Sequence, residues 1–109
     1  MSKYATHLKT CGVELVDLSI SDIALSRSDA IVGIKLLELE NTPVLGGDVF
    51  VESNGRICHA YANWSIQQRV GEADGEFLNR TIVSSLAYIM NYPDLEHATP
   101  LFVIVPKTL

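Results

Sequence analysis

The densest run of apolar residues predicts a buried helix from Asp29 to about Glu40. Only Lys35, Glu38 and Glu40 form a narrow polar strip along it. The segment 26–29, Ser-Arg-Ser-Asp, precedes this run and is typical of a capped helix start, because a Ser side chain and a nearby carboxylate satisfy free backbone N–H groups. Thr42-Pro43 ends the helix, since a residue before proline is disfavoured in helical backbone. Most of the surface of this helix is therefore expected to be buried.

A second helix is predicted from Asp74, as the capping residue, to about Tyr92. Tyr92-Pro93 stops it, and Gly71 to Gly75 form the loop before it. The helical spacing of apolar and small residues predicts the core-facing side chains, which are Phe77, Leu78, Thr81, Ile82, Ser85, Leu86, Ile89 and Met90.

The strand signals are a hairpin and one continuous apolar run. Val44 to Glu52 reads as a strand that enters Asn54-Gly55, the strongest short hairpin signal, and a return strand is expected over about 57–63. The apolar stretch 101–105, closed by Pro106, is typical of a strand inside a sheet. Val13 to Leu18 fits an edge strand, while Ser19 to Asp22 could equally cap a helical turn.

Strands and helices do not alternate strictly, so the predicted fold class is α+β. We expect a small mixed or antiparallel sheet with a β-hairpin, packed against two main helices. The length of 109 residues predicts a single domain over residues 1–109.

The hairpin register predicts two faces of different character. Counting outward from Asn54-Gly55 pairs Phe50 with His59, Val49 with Ala60 and Asp48 with Tyr61. One face is small and apolar and should pack on the helices; it carries Val49, Val51, Cys58 and Ala60. The other is acidic and aromatic and carries Asp48, Phe50, Glu52, Ile57, His59 and Tyr61.

The acidic, aromatic face suits a protein interface, because aromatic anchors supply contact area and carboxylates select a basic partner. The alternative is that the amino-terminal segment covers this face and that Asp48 only bonds Tyr61 or a turn amide. Trp64 either contributes to the contact or closes the end of the core. The predicted partner-binding residues are thus Asp48, Phe50, Glu52, His59, Tyr61 and Trp64. Gly46-Gly47 indicates either a bulge that aims Asp48 or a plain turn.

Charge narrows the classes of partner. Eight Lys and Arg against thirteen Asp and Glu give a net charge of −5, which disfavours nucleic acid and anionic membrane surfaces. The N-terminus lacks the apolar core of a signal peptide, and the apolar stretch 101–106 is too short to span a membrane. A cytoplasmic protein with a protein partner is expected, and a homo-oligomer is compatible with the sequence.

Catalysis and metal binding receive little support from the sequence. His7, His59 and His97 lie in separate regions without metal-ligand spacing, and Cys58 and His59 should point to opposite faces of a strand. We therefore expect no enzyme activity, no cofactor and no metal. Cys11 and Cys58 are interpreted as reduced core residues, so the chain should fold without a disulfide.

The segment 43–50, Pro-Val-Leu-Gly-Gly-Asp-Val-Phe, followed by the Asn-Gly turn and by Asn63-Trp64, resembles the bacterial Immunity protein 40 family. The likeness extends over roughly 29–105. It implies an α+β protein that is made beside a toxin of a polymorphic toxin system and neutralises it by binding. The alternative is a small regulatory or ligand-binding domain, possibly a homodimer, that uses the same face as a pocket wall or dimer surface.

Overall fold

The computed structural model describes residues 2–15, 18 and 22–108. In chain order the elements are α1 Lys3–Cys11, β1 Val13–Glu14, β2 Ile23–Ser26, α2 Arg27–Leu39, β3 Val44–Ser53, β4 Arg56–Ser65, α3 Asp74–Asn91 and β5 Thr99–Pro106.

The strands form one antiparallel sheet in the order β1-β2-β5-β3-β4, and the helices pack on it. The predicted α+β class is confirmed, and so is the interior position of the apolar run in β5, which lies between β2 and β3. None of the helices in the described part of the chain is long and apolar enough to cross a membrane.

Helix α2 begins as its sequence predicts. The Ser26 side chain accepts a hydrogen bond from the Asp29 backbone N–H, 3.3 Å away, which satisfies one of the free donors of the first turn. The apolar positions are less completely buried than expected, because Val32 is 45% and Leu39 is 76% exposed. The helix therefore presents one buried stripe to the core instead of being surrounded by it.

Helix α3 matches its predicted span but differs in its start and its last turn. Asp74 is the first helical residue, and the preceding Ala73 is the cap and supplies no side-chain bond, so the predicted capping role of Asp74 is wrong. Met90 is 60% exposed and does not face the core. The buried side chains of this helix are Phe77, Thr81, Ile82, Ser85 and Ile89, all of which were predicted.

Helix α1 and strand β2 were not predicted. Ser2 caps α1 by accepting from the Ala5 N–H, and among the described residues of α1 only Tyr4 is fully buried. Burial and, secondarily, the nearby Glu40 carboxylate raise the pKa of Tyr4 to about 12. A short helix with so few core residues leaves a weak periodic signal, which explains why it was missed.

Each face of the sheet carries its own apolar cluster. The helix-facing cluster is built mainly from Leu25, Ala30, Ile34, Leu37, Val44, Val49, Ile82, Ile89, Phe102 and Ile104. The outer cluster consists of Leu15, Ala24, Phe50, Leu101 and Val103, with Leu18 and Ile57 packed against it. The sheet is thus covered by helices on one face and partly by Leu15 and Leu18 on the other. The helical turn considered for Ser19 to Asp22 falls mostly outside the described residues.

Candidate functional site

The hairpin turn has the conformation that Asn54-Gly55 predicts. Both residues have positive φ, 53° for Asn54 and 77° for Gly55, as a type I′ turn requires. From this turn the register runs as expected from Ser53 opposite Arg56 to Phe50 opposite His59.

Beyond Phe50 the predicted register is wrong, because β4 contains a bulge. Val49 pairs with Ala62 instead of Ala60, and Asp48 pairs with Asn63 instead of Tyr61. Ala60 and Tyr61 are therefore the extra residues on β4. Since the insertion is an even number of residues, the alternation of faces is kept, and Ala60 and Ala62 both pack against the helix-facing cluster.

The bulge holds Tyr61 out into solvent. Its φ is 55°, a left-handed conformation that is uncommon for a bulky residue, and the side chain is 91% exposed. The Tyr61 ring lies 5.6 Å from the His59 ring, which in turn lies 4.6 Å from the ring of Phe50. The three rings form a continuous row from the buried outer cluster to solvent.

The sheet face predicted to contact a partner is only partly open. Asp48, Glu52, His59 and Tyr61 are exposed, and we refer to these four residues as the outer strip. Phe50 is only 3% exposed, because it packs with Leu15, Leu101 and Val103, so the expectation that it lies on an open surface is wrong. The alternative that the amino-terminal segment covers this face is confirmed for Phe50.

Trp64 faces the helices, opposite to the outer strip. Its indole N–H donates to the Ser85 hydroxyl at 3.0 Å, and its ring stacks on Tyr88 with centroids 4.6 Å apart. Of the two roles considered for Trp64, the structure therefore supports closure of the core.

The Gly-Gly pair and Trp64 form one structural unit. Gly47 lies directly across from Trp64, and a Cβ at Gly47 would collide with the indole ring and with the Val103 carbonyl oxygen. Gly46 has φ of 147°, and the register between β3 and β5 shifts just before it, between Val44 and Gly46. Both glycines lie within β3, so the plain-turn alternative is wrong. The motif that carries the family resemblance is thus explained by packing.

Cys58 is exposed, so its interpretation as a core residue is wrong, whereas Cys11 is half-buried against the helix-facing cluster. Both cysteines are free thiols. Cys58 pairs with Val51 on β3, three pairs from the hairpin turn, and is exposed there.

The groups with shifted pKa values lie away from the outer strip. The clearest is Glu72, whose pKa is lowered to about 2 by side-chain hydrogen bonds from Arg80 and by the backbone N–H of Arg69. This pair ties the loop before α3 to the helix and is a structural contact. Shifted pKa values are a common sign of catalytic groups. In the described part of the chain, the residues with shifted pKa values are not those of the outer strip.

The cavities of the described structure also lie mainly away from the outer strip. One of about 330 Å³ sits between the end of α2 and the start of α3, where Pro43, Phe77 and Lys107 line it. A shallow depression of about 240 Å³ adjoins the outer strip and is lined in part by Asp48, Asn63 and Val105. Asp48 is the one ionisable side chain among the described residues that line this depression.

The structure brings together one group of potential metal ligands that the sequence did not predict. One donor atom each from His7, Cys11 and Asp29 lie within 4.8 Å of one another. The detectable signal was the spacing of His7 and Cys11, which places both on one face of a helix once α1 is recognised.

No curated protein and no solved structure shows a significant match to this chain. A family model does match: that of Immunity protein 40, over residues 7–106. The match includes the Gly-Gly pair, the hairpin, Trp64, α3 and β5, the parts whose packing is described above. The chain therefore belongs to the Immunity protein 40 family.

Proposed function

We propose that this protein binds a cognate toxin domain in the bacterial cytoplasm and neutralises it without catalysing a reaction. Family membership supports an immunity role. The observation that carries the proposed contact surface is Tyr61, which a bulge holds 91% exposed on the outer face of the sheet.

An exposed aromatic ring in a left-handed backbone conformation has two disadvantages for the stability of the fold. The ring gains none of the stabilisation that burial would give, and the positive φ of 55° is a strained conformation for the backbone. Among the aromatic residues, all of which lie in described parts of the chain, the other seven are buried or half-buried. β-Bulges often change the direction of one side chain at a binding site. A role as a binding hot spot therefore accounts for the exposure of Tyr61.

The charge of the outer strip indicates the chemistry of the partner. Asp48 and Glu52 flank the ring row from β3, and the whole chain carries a net charge of −5. The depression beside Asp48 has room for a Lys or Arg side chain. A toxin domain with a basic surface is therefore the partner that these residues fit best.

The alternative of a regulatory domain that dimerises rests on the open edge of β4, which lies at the end of the sheet. Its bulge interrupts the row of free backbone groups and so opposes continuous pairing with a second copy. A concentration-dependent dimer in size-exclusion chromatography, with no binding to the product of a neighbouring toxin-like gene, would favour this alternative.

Replacing Tyr61 by alanine is expected to weaken toxin binding by about 2 kcal/mol, roughly thirtyfold in Kd, and to leave Tm unchanged. The substitution removes the exposed ring but keeps a Cβ, so the backbone preference at φ 55° changes little. Isothermal titration calorimetry against the toxin domain encoded beside this gene, together with thermal melts, measures both effects.

Met90→Ala is the matched control, because Met90 is 60% exposed on α3, which packs against the other sheet face. It should bind like the wild type. Unchanged affinity of Tyr61→Ala would remove the outer strip from the contact, whereas failure of the wild type to bind or inhibit the toxin would overturn the immunity function itself.

Asp48→Asn is expected to slow association and to reduce its dependence on ionic strength, with a smaller effect on dissociation. The carboxylate is exposed at the rim of the strip, where charge acts mainly by steering a basic partner. Stopped-flow association rates at low and high salt test this, and identical salt slopes for both proteins would contradict it.

A further inference from the structure

A group of potential ligands lies where α1 packs against the start of α2, far in sequence from the outer strip. His7 and Cys11 are one helical turn apart on α1, and Asp29 lies in the first turn of α2. All three residues are half-buried, and their donor atoms lie within 4.8 Å of one another. These side chains differ in kind and offer nitrogen, sulfur and oxygen donors.

A hydrogen bond orients the ring of His7 and sets its tautomer. Nε2 lies 2.7 Å from the backbone oxygen of Asp29, and since a carbonyl oxygen only accepts, Nε2 carries the hydrogen. In the neutral ring the lone pair is then on Nδ1. Histidines that bind metals commonly donate their other ring N–H to a backbone carbonyl in this way, which fixes both tautomer and orientation.

The carboxylate of Asp29 is also held in place. Its Oδ2 accepts a hydrogen bond from the Ser26 hydroxyl at 3.1 Å. It lies in the first turn of α2, at the positive end of the helix dipole. Two of the three potential ligands are therefore oriented by contacts that do not involve a metal.

We propose that His7, Cys11 and Asp29 bind a divalent transition metal, best matched by Zn²⁺, with water in the fourth position. Zinc accepts this mixture of donors in tetrahedral geometry with ligand atoms about 3–4 Å apart, so closing from 4.8 Å requires a movement of only about 1 Å. Binding releases one proton from the Cys11 thiol. The thiolate and the carboxylate then balance the double positive charge of the ion.

The bound ion joins α1 to α2. The proposal departs from the expectation, drawn from the sequence, that the protein binds no metal. The apolar clusters are formed without the ion, so the metal adds to the stability of a chain that folds on its own. This inference is independent of toxin neutralisation.

The test is titration of the full-length, reduced, metal-free protein with Co²⁺, which substitutes for zinc and reports its ligands by absorption. We expect saturation at one equivalent, a thiolate-to-cobalt charge-transfer band in the near ultraviolet, and displacement by Zn²⁺. Zn²⁺ should also raise Tm by several degrees. Absence of saturable binding would overturn the proposal.

Two cysteine variants assign the site. Cys11→Ser is nearly isosteric and should keep the fold, checked by far-ultraviolet circular dichroism, but lose the charge-transfer band and at least tenfold in affinity. Cys58→Ser is the matched control, since Cys58 is an exposed cysteine on β4, and should bind like the wild type. His7→Ala should weaken binding as well. Loss of the band in Cys58→Ser with its retention in Cys11→Ser would refute the assignment.

Discussion

Val49→Asp is expected to remove a large part of the free energy of unfolding. Val49 is 1% exposed in the helix-facing cluster, on the central part of β3 between β4 and β5. A carboxylate there loses its hydration without gaining a partner, which costs at least about 4 kcal/mol. Since a domain of this size is stable by only about 5–15 kcal/mol, urea denaturation followed by circular dichroism should show a lost or greatly shifted transition.

Val83→Asp is the matched control for this variant. It makes the same substitution on α3, where Val83 is 58% exposed, and should change the free energy of unfolding by less than about 1 kcal/mol. A Val49→Asp protein that is as stable as Val83→Asp would mean that the two faces of the hairpin are exchanged.

Phe50→Ala is expected to lower the free energy of unfolding by about 3 kcal/mol. Phe50 is 3% exposed, belongs to the outer cluster with Leu15, Leu101 and Val103, and pairs with Leu101 on β5. Removing the ring deletes these contacts and leaves a space that the short amino-terminal segment fills only in part. Urea denaturation monitored by circular dichroism measures the loss.

Tyr61→Ala provides the comparison on the same hairpin, since it also truncates an aromatic ring but at a site that is 91% exposed. Its free energy of unfolding should change by less than about 0.5 kcal/mol. If Phe50→Ala kept the wild-type stability and lost only toxin affinity, the chain around Leu15 would not cover Phe50 in solution, and Phe50 would belong to the contact surface.

Local signals determined much of the hairpin and of two helices. Ser26 with Asp29 places the start of α2, and Asn54-Gly55 places the turn, because capping and positive φ are decided by a few neighbouring residues. The apolar run in β5 is long enough to identify an interior strand without knowledge of its neighbours. Of these features, the Asn54-Gly55 turn is also part of the resemblance to the family.

The composition of the candidate surface was readable from the sequence, but its accessibility was not. Alternation along β3 and β4 places Asp48, Glu52, His59 and Tyr61 on one face, and the structure agrees. Phe50 has the same alternation, and packing in the outer cluster, of which Leu15 is a member, removes it from solvent. Leu15 is distant in the chain and carries no local signal of where it packs.

The remaining features depend on contacts between segments that are far apart in sequence. The bulge at Ala60 and Tyr61 arises where Val49 pairs with Ala62, which no short window reveals. Trp64 contacts Ser85 and Gly47 only when the helices pack on the sheet. His7 and Cys11 likewise lie close to Asp29 only in the packed structure. The sequence by itself thus determined the family and the elements with strong local signals. Tertiary packing decided which side chains are exposed and which donor atoms lie close together, because burial and distance are properties of the folded chain.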